Sequence, residues 1–406
     1  MTSAGIWRTW SASRPPQASR ADVAGRATRV NRLQPPACSR RISPDQESCR
    51  MPHHDMLALL GRMTEAEASD LHLVPGAPPM LRVHGELRPA GDTPLTAGEI
   101  VSMLAAIAPP AVAARLSNAD NLDFAAEFTQ DGRPTRLRVN VFAARGQPGA
   151  CLRLIASTIP TVAELGFPEE LAARIERLHS GLVLFTGITG AGKTTTLAAI
   201  IQRINAAGGN RIITIEEPIE YVFPQMTNSL VTQREVGPDV ESFYDGLRSG
   251  LRQDPDVILV GEIRDRQTAQ LALSAAETGH LILATMHTAD AKGAITRLVD
   301  LFPSDVHDDV RTQLSLSLRL VVTQHLLPPP QRGGRRVLAI EVLVANFAVR
   351  SAIRTGKIES LDSAIQSGRK DGMISLDACL RDLVQQGRID LATARQFAKD
   401  PGELGA

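Results

Sequence analysis

The segment FTGITGAGKTTT, residues 185–196, has the residue types and the spacing of a phosphate-binding loop. Four residues separate Gly187 from Gly192, which Lys193 and Thr194 follow directly. Glycines permit positive φ angles, so successive backbone N–H groups can converge on phosphate oxygens. The ammonium of Lys193 can bridge the β- and γ-phosphates of ATP, and the hydroxyl of Thr194 can hold Mg²⁺. The predicted nucleotide-binding residues are Gly187, Ile188, Thr189, Gly190, Ala191, Gly192, Lys193, Thr194 and Thr195.

Acidic side chains and two histidines stand at the ends of three other apolar runs that are typical of buried strands. RIITIE ends at Glu216, VILVG leads to Glu262, and LILATM lies between His280 and His287. In an open α/β sheet the carboxyl ends of the strands border the ligand crevice. We therefore expect Glu216, Glu262 and His287 to face the nucleotide.

These acids are suited to the chemistry of phosphoryl transfer, which needs a metal ion and a group that orients the attacking water. Glu262 is the predicted ligand of Mg²⁺, directly or through water, together with Thr194. Glu216 is the predicted water-orienting residue. The alternatives are a helix cap or a salt bridge for each acid, and purely structural roles for His280 and His287.

The elements that must position these residues follow from hydrophobic periodicity. A strand pattern over residues 181–187 precedes the glycine-rich loop, and a helix pattern over residues 195–205 follows it. Upstream, residues 53–160 contain strand-like runs separated by turn residues, with one helical stretch near residues 97–116. The sequence predicts an α/β nucleotide-binding domain preceded by a small α+β domain.

Arginines recur on one predicted strand of the small domain. Apolar and polar residues alternate in RLRVNV, residues 136–141, so one face is core and the other presents arginines. Arg138 lies on that face, Arg145 follows in a Gly/Pro-rich turn, and Arg153 lies in the next predicted strand. An exposed polar face is the simpler explanation, but arginine also matches the geometry of phosphate.

Charge is unevenly distributed along the chain. The first 50 residues hold nine arginines, no lysine and three acids, although the whole chain has no formal net charge. We expect residues 1–52 to be a disordered Arg-rich leader, with Met51 or Met56 as the initiator, and an organelle transit peptide is the alternative. The mildly acidic, aromatic-poor remainder argues against a nucleic-acid partner.

Composition excludes several other classes of protein. No stretch approaches eighteen consecutive apolar residues, so we expect no direct insertion into a membrane. The four cysteines form no C-x-x-C pair, so neither a zinc site nor a disulfide framework is predicted.

Several motifs together resemble the secretion-superfamily hexameric ATPases: GITGAGKTTT, TIEEPIEYVF, VTQREVG, LRSGLRQDPDVILVGEIRD and AAETGHLILATMHTADA. Two further segments, ASDLHLVPGAPPMLRVHGEL and AVRSAIRTGKI, are similar to the type IV pilus retraction motors of twitching motility, the PilT/PilU type. The resemblance extends from about residue 54 to about residue 395.

This resemblance implies a PAS-like domain at 53–160, a RecA-like P-loop ATPase core at 161–345, a helical C-terminal region at 346–396 and a tail at 397–406. It implies a ring of six subunits, with nucleotide between the two domains of one subunit. By motif position, the catalytic residues of the family fall on Glu216, Glu262, Arg138, Arg153, His280 and His287. The chain departs from the family at Glu217, where Asp is usual, and in the loop around Arg145.

The implied function is an ATP- and Mg²⁺-dependent homo-hexameric motor for pilus retraction, at the cytoplasmic face of the inner membrane. Its implied partners are the inner-membrane pilus platform protein and the pilus machinery, with a second motor ATPase as a further candidate. Relatives that serve pilus extension or type II secretion typically carry an additional N-terminal domain and a tetracysteine zinc motif. Neither feature is found in this sequence, which favours retraction. The alternatives are an ATPase of a conjugation or type IVB secretion system, or a weakly hydrolysing accessory ring subunit.

Overall fold

The computed structural model describes residues 55–83, 86–116, 121–130, 133–155, 158–330 and 335–404. The predicted leader, residues 1–52, lies outside these described residues. The described part of the chain contains a six-stranded sheet and a seven-stranded sheet. Each sheet buries one set of apolar side chains against helices.

The six-stranded sheet is built from the first half of the described chain. Its strands are β1 (Asp70–Leu73), β2 (Met80–Val83), β3 (Glu86–Pro89), β4 (Leu122–Gln130), β5 (Arg133–Ala144) and β6 (Gln147–Ile155). They are paired antiparallel in the order β3-β2-β1-β6-β5-β4. The alternation predicted in β5 is confirmed, because Leu137, Val139 and Val141 are fully buried.

Three helices accompany this sheet: α1 (Met56–Glu65), α2 (Ala97–Ala105) and α3 (Pro110–Ala113). A capping box between Thr96 and Glu99 begins α2. The single helix expected over residues 97–116 is wrong, since α2 ends before the pair Pro109-Pro110. Proline lacks the N–H that a continuous helix would use and disfavours helical geometry in the residue before it.

The seven-stranded sheet consists of β7 (Gly181–Thr186), β8 (Arg211–Glu216), β9 (Leu230–Glu235), β10 (Val257–Val260), β11 (Leu281–Met286), β12 (Leu318–Leu327) and β13 (Val337–Val344). Its order is β13-β12-β7-β11-β10-β8-β9. Every neighbouring pair is parallel except β12 and β13. Strands β7, β10 and β11 are buried throughout, as expected for parallel strands covered on both faces.

Helices connect the strands of this sheet and continue beyond it. The connecting helices are α4 (Val162–Leu165), α5 (Glu169–Glu176), α6 (Lys193–Ala207), α7 (Phe243–Gly250), α8 (Arg266–Glu277), α9 (Ala291–Asp300) and α10 (His307–Ser317). The C-terminal helices are α11 (Phe347–Arg354), α12 (Leu361–Ser367), α13 (Leu376–Gln385) and α14 (Leu391–Phe397). The predicted fold class is confirmed: an α/β core follows an α+β unit and precedes a helical region.

The segment after α14 is fastened to the rest of the molecule. The buried carboxylate of Asp377 accepts hydrogen bonds from the backbone N–H groups of Lys399 (2.8 Å) and Asp400 (3.1 Å). The Nζ of Lys399 lies 2.6 Å from Oε2 of Glu341, a residue of β13 that is 2% exposed. Leu404 packs into a small apolar cluster with α13. Residues 398–404 therefore form a strap across α13 and β13.

Candidate active site

The glycine-rich loop joins the end of β7 to the start of α6, as the motif predicts. Gly187, Gly190 and Gly192 all have positive φ, at 139°, 80° and 87°. A Cβ atom added to Gly187 would lie 2.5 Å from the backbone oxygen of Gln324 on β12. The close approach of β12 and the positive φ therefore both require glycine at this position.

Lys193 is held inside the loop. Its side chain is 7% exposed, and its Nζ donates to the carbonyl oxygens of Gly187 (2.7 Å) and Ile188 (3.1 Å). Burial lowers the pKa of Lys193, and the negative charge of Glu262 acts in the opposite direction. The loop thus keeps a positive charge at the position where phosphate oxygens are expected.

Glu262 and His287 meet Lys193 at the carboxyl edge of the sheet. Glu262 lies two residues after β10, and His287 directly follows β11. The Nε2 of His287 is 3.3 Å from Oε2 of Glu262, and its Nδ1 is 3.4 Å from Nζ of Lys193. His287 therefore contacts two other residues that the sequence predicted at the nucleotide, Lys193 and Glu262.

Arg264 connects two acids of this edge. Its Nε donates to Oε2 of Glu262 (2.7 Å), and its Nη1 donates to Oε2 of Glu217 (2.8 Å). Glu217, the residue at which the chain departs from the family pattern, therefore has a structural role as the partner of Arg264.

Glu216 is the most buried acid of the edge, with 6% of its surface exposed. Desolvation raises its pKa to about 7, although hydrogen bonds from Thr214 and Gln233 lower it. Smaller electrostatic contributions come from Glu220, which raises the pKa, and from Arg136, which lowers it. A carboxyl group poised near neutral pH is suited to accept a proton in a catalytic step.

The arginines of the small sheet approach the same edge. The antiparallel register of β5 and β6 places Arg138 directly opposite Arg153. The Nε of Arg153 donates to Oδ1 of the buried Asp70 (2.8 Å), and the Nε of Arg138 is 3.8 Å from Oδ1 of Asp123. Burial raises the pKa of Glu220, and the positive charges of Arg138 and Arg153 oppose that shift. The two arginines therefore act electrostatically on the acid side of the site.

A cleft of about 470 Å³ lies between the two sheets. Residues 189–195 form one part of its wall. The other predicted residues that line it are Arg138, Arg153, Glu216, Glu262 and His287. Arg145 is not among the lining residues, and it is exposed in the turn between β5 and β6.

His280 is the predicted catalytic residue that the structure does not bring to the cleft. It precedes β11, whereas His287 follows that strand, so the two histidines are about 20 Å apart along the sheet. The Nδ1 of His280 is 3.1 Å from the backbone oxygen of Ala275, at the end of α8. Within one subunit its contacts are structural.

The predicted Mg²⁺ ligands fit an ion that is held mainly by water and phosphates. Among the described residues, no group of three or more His, Cys, Asp or Glu side chains could hold a metal ion. Thr194 and Glu262 line the same cleft and offer a hydroxyl and a carboxylate. Mg²⁺ in nucleotide sites commonly takes one or two such oxygen ligands and keeps several waters.

Sequence reasoning assigned no role to several residues that shape the site. Thr214 and Gln233 bond Glu216, Arg264 joins two acids, and Arg336 donates to the backbone oxygen of Gly190 at 3.4 Å. In VTQREVG, the polar Gln233 and Glu235 alternate with Thr232 and Arg234, which places them on one face of β9. That alternation was the sequence signal that could have identified Gln233 as a neighbour of Glu216. The contacts of Arg336 depend on a loop whose path no periodicity predicts.

None of the described helices has the length and apolar character needed to cross a membrane.

Comparison with known proteins identifies the family. The family of Type II/IV secretion system proteins matches residues 49–384. A type IV pilus retraction ATPase of Pseudomonas aeruginosa, PilT, is 42% identical over 347 residues, which cover 86% of this chain and 99% of that protein. A twitching motility protein of Neisseria gonorrhoeae is 42% identical over 322 residues, which cover 79% of this chain and 84% of that protein.

The fold is also that of a solved relative. A crystal structure of the pilus retraction motor PilT with bound ADP superimposes with a TM-score of 0.78 at 40% sequence identity. The match covers 86% of this chain and 98% of that one. The resemblance seen in the sequence motifs is confirmed, and the chain belongs to the family of type II/IV secretion system proteins.

Proposed function

We propose that this chain is an ATP-hydrolysing motor subunit that drives retraction of type IV pili and thereby twitching motility. The observation that carries the proposal is the composition of the cleft. A phosphate-binding loop, a buried carboxyl group with a pKa near 7 and two arginines from a second sheet border one space. The names of the similar proteins support pilus retraction as the process that ATP hydrolysis would drive.

Each residue of the cleft has a role that follows from its position. The loop amides and Lys193 bind the phosphates, and Arg138 and Arg153 neutralise the charge that develops on the transferred phosphoryl group. Glu216 orients the attacking water and accepts its proton. His287, in contact with both Lys193 and Glu262, holds these two side chains in place.

Mg²⁺, when bound, would neutralise charge on the β- and γ-phosphates. Thr194 and Glu262 would hold it, directly or through water. Arg264 keeps the carboxylate of Glu262 oriented toward the cleft through its 2.7 Å hydrogen bond.

Further elements of the proposal concern assembly and location. We propose a ring of six identical subunits that works at the cytoplasmic face of the inner membrane, on the pilus platform protein. The proposed domains are those expected from the sequence: 53–160, 161–345 and 346–396. A second motor ATPase is a candidate partner.

The first test is an ATPase assay on the purified chain. The Lys193→Ala variant should fold and lose hydrolysis, because the charge of Lys193 serves the phosphates and its removal leaves the loop backbone intact. Circular dichroism and thermal melting would establish that the variant is folded. Near-normal turnover in the variant would contradict the assignment of the phosphate-binding loop, and a wild-type ring with very low turnover would favour an accessory subunit.

The second test is a deletion of the gene in the native cell. A retraction motor predicts abundant surface pili and loss of twitching. Cells without pili would instead indicate an extension motor, and normal piliation with a secretion defect would indicate a conjugation or type IVB secretion ATPase.

A further inference from the structure

The side chain of Gln233 makes three hydrogen bonds next to Glu216, with both of its N–H donors and its oxygen engaged. Its Nε2 donates to Oε1 of Glu216 (3.1 Å) and to the backbone oxygen of Tyr221 (2.7 Å). Its Oε1 accepts from the backbone N–H of Phe223 (2.9 Å). These partners define which end of the amide is oxygen, since Phe223 offers a donor and the other two partners are acceptors. Gln233 therefore ties Glu216 to the segment that follows β8.

The hydroxyl of Thr214 makes a second contact with the same oxygen atom. It donates to Oε1 of Glu216 at 2.6 Å, and Thr214 itself is fully buried in β8. Within the described part of the chain, both hydrogen bonds to Glu216 end on Oε1. The second oxygen, Oε2, receives neither of them. The carboxyl group is thus held through Oε1, in a residue that lines the cleft.

We infer that Thr214 and Gln233 are positioning residues that fix Glu216 through Oε1, so that Oε2 is the atom that takes the proton of the attacking water. This inference rests on the proposed hydrolysis of ATP. The water oxygen forms a bond to the γ-phosphorus, the bond from that phosphorus to the β–γ bridging oxygen breaks, and one water proton passes to Oε2. ADP and inorganic phosphate leave, and the proton on Oε2 returns to solvent.

The same contacts set the range of pH in which Glu216 can act. Both hydrogen bonds favour the ionised carboxylate and lower its pKa against the effect of burial. The charged groups that also act on Glu216 are Glu220, which raises the pKa, and Arg136, which lowers it. Removing either donor should therefore raise the pKa of Glu216 further, so that a smaller fraction is ionised at neutral pH.

The experiment compares substitutions that keep the shape of each side chain. Thr214→Val removes the hydroxyl at nearly constant volume, and Thr214→Ser keeps it. Gln233→Met removes the amide at similar length. Thr232→Val, one residue away on the opposite face of β9, is the matched control. For each full-length protein, kcat and KM for ATP are measured between pH 6 and pH 9, together with binding of a non-hydrolysable ATP analogue.

The expected result is a loss in kcat of about tenfold or more for Thr214→Val and Gln233→Met, because hydrogen bonds to charged groups have this magnitude. The acidic limb of the kcat profile should move to higher pH, and KM and analogue binding should change by less than about twofold. Thr214→Ser should restore most of the lost rate. Unchanged kcat and pH profile in Thr214→Val and Gln233→Met, or equal losses in Thr214→Ser and Thr214→Val, would overturn the inference.

A second readout separates failure of this inference from failure of the proposed function. The pH dependence of unfolding reports the ionisation of Glu216 without turnover. Thr214→Val should move that ionisation to higher pH in a chain that hydrolyses nothing as well as in an active one. An unchanged ionisation would overturn the positioning role, whereas a shifted ionisation in a chain without ATPase activity would uphold the contact of Thr214 with Glu216 and refute the proposed function.

Discussion

Replacement of Glu216 by Gln should stabilise the nucleotide-free protein, and only above a certain pH. The carboxyl group is 6% exposed, and burial raises its pKa to about 7 from an ordinary value of 4.5. The unfolded chain therefore releases this proton at lower pH than the folded chain does. Glutamine has nearly the same shape and stays neutral, and its side-chain oxygen can accept from both Thr214 and Gln233.

The sign and size of the effect follow from linkage. Below pH 4.5 the group is protonated in both states and imposes no cost. Between pH 4.5 and about 7 the unfolded state binds fewer protons, so the free energy of unfolding falls as pH rises. Above pH 7 the full cost is present, and it corresponds to about 3 kcal/mol at 1.4 kcal/mol per pKa unit. The substitution should therefore raise the free energy of unfolding by about 3 kcal/mol at pH 8 and by less than about 1 kcal/mol at pH 5.

The assay is denaturant unfolding of wild type and Glu216→Gln at pH 5 and pH 8 without nucleotide. At each pH, the free energy of unfolding of wild type is subtracted from that of the variant. This difference is then compared between pH 5 and pH 8, because the contributions of the other titrating groups cancel in it. The same variant should bind ATP and not hydrolyse it. Parallel changes of the two proteins with pH would refute a buried, neutral Glu216, and loss of ATP binding together with turnover would refute its role as the water-orienting group.

Two other predictions concern charged side chains, the arginines of the cleft and the lysine of the C-terminal strap. Arg138→Ala and Arg153→Ala should each reduce kcat by about a hundredfold or more in a folded protein, as expected for donors to a developing phosphate charge. Arg145→Ala in the nearby turn is the control and should change kcat by no more than a few fold; equal, small effects at all three positions would indicate an exposed polar face. Lys399→Met should lower the free energy of unfolding by about 3 kcal/mol, because it leaves the buried Glu341 without its charged partner. Lys292→Met, whose partners Glu359 and Asp362 are both accessible to solvent, is the control and should lower the free energy of unfolding much less in the same denaturation assay.

The sequence predicted the phosphate loop and the strand ends well because both depend on local patterns. In the phosphate loop the three positive φ angles fall on glycines, and in the sheet an apolar run precedes each acid of the site. Both patterns can be read from short segments of sequence. The position of Glu216, Glu262 and His287 at one edge then follows from the geometry of a parallel sheet. The same rule separates His280 from them, since it precedes the strand that His287 follows.

The remaining features depend on contacts between distant parts of the chain. The hydrogen bond from Gln233 to Glu216 requires β9 to pair with β8 in one register, and that register brings Glu216 opposite Glu235. The contact of Arg336 with Gly190 joins segments 146 residues apart. Such pairings are decided by packing of the whole sheet, which no single segment encodes.

The two walls of the nucleotide cleft belong to different sheets, and this division has a mechanical consequence. On the proposed roles of these residues, a bound phosphate would attract both the loop after β7 and the arginines of β5 and β6, so its binding free energy would pull the walls together. On the proposed function, a load on the filament that pulls the walls apart would oppose the same movement and so compete with nucleotide binding. The ATP concentration at half-maximal speed should then rise with load. A machine that generated force only when the phosphate bond breaks would instead slow by the same proportion at every ATP concentration.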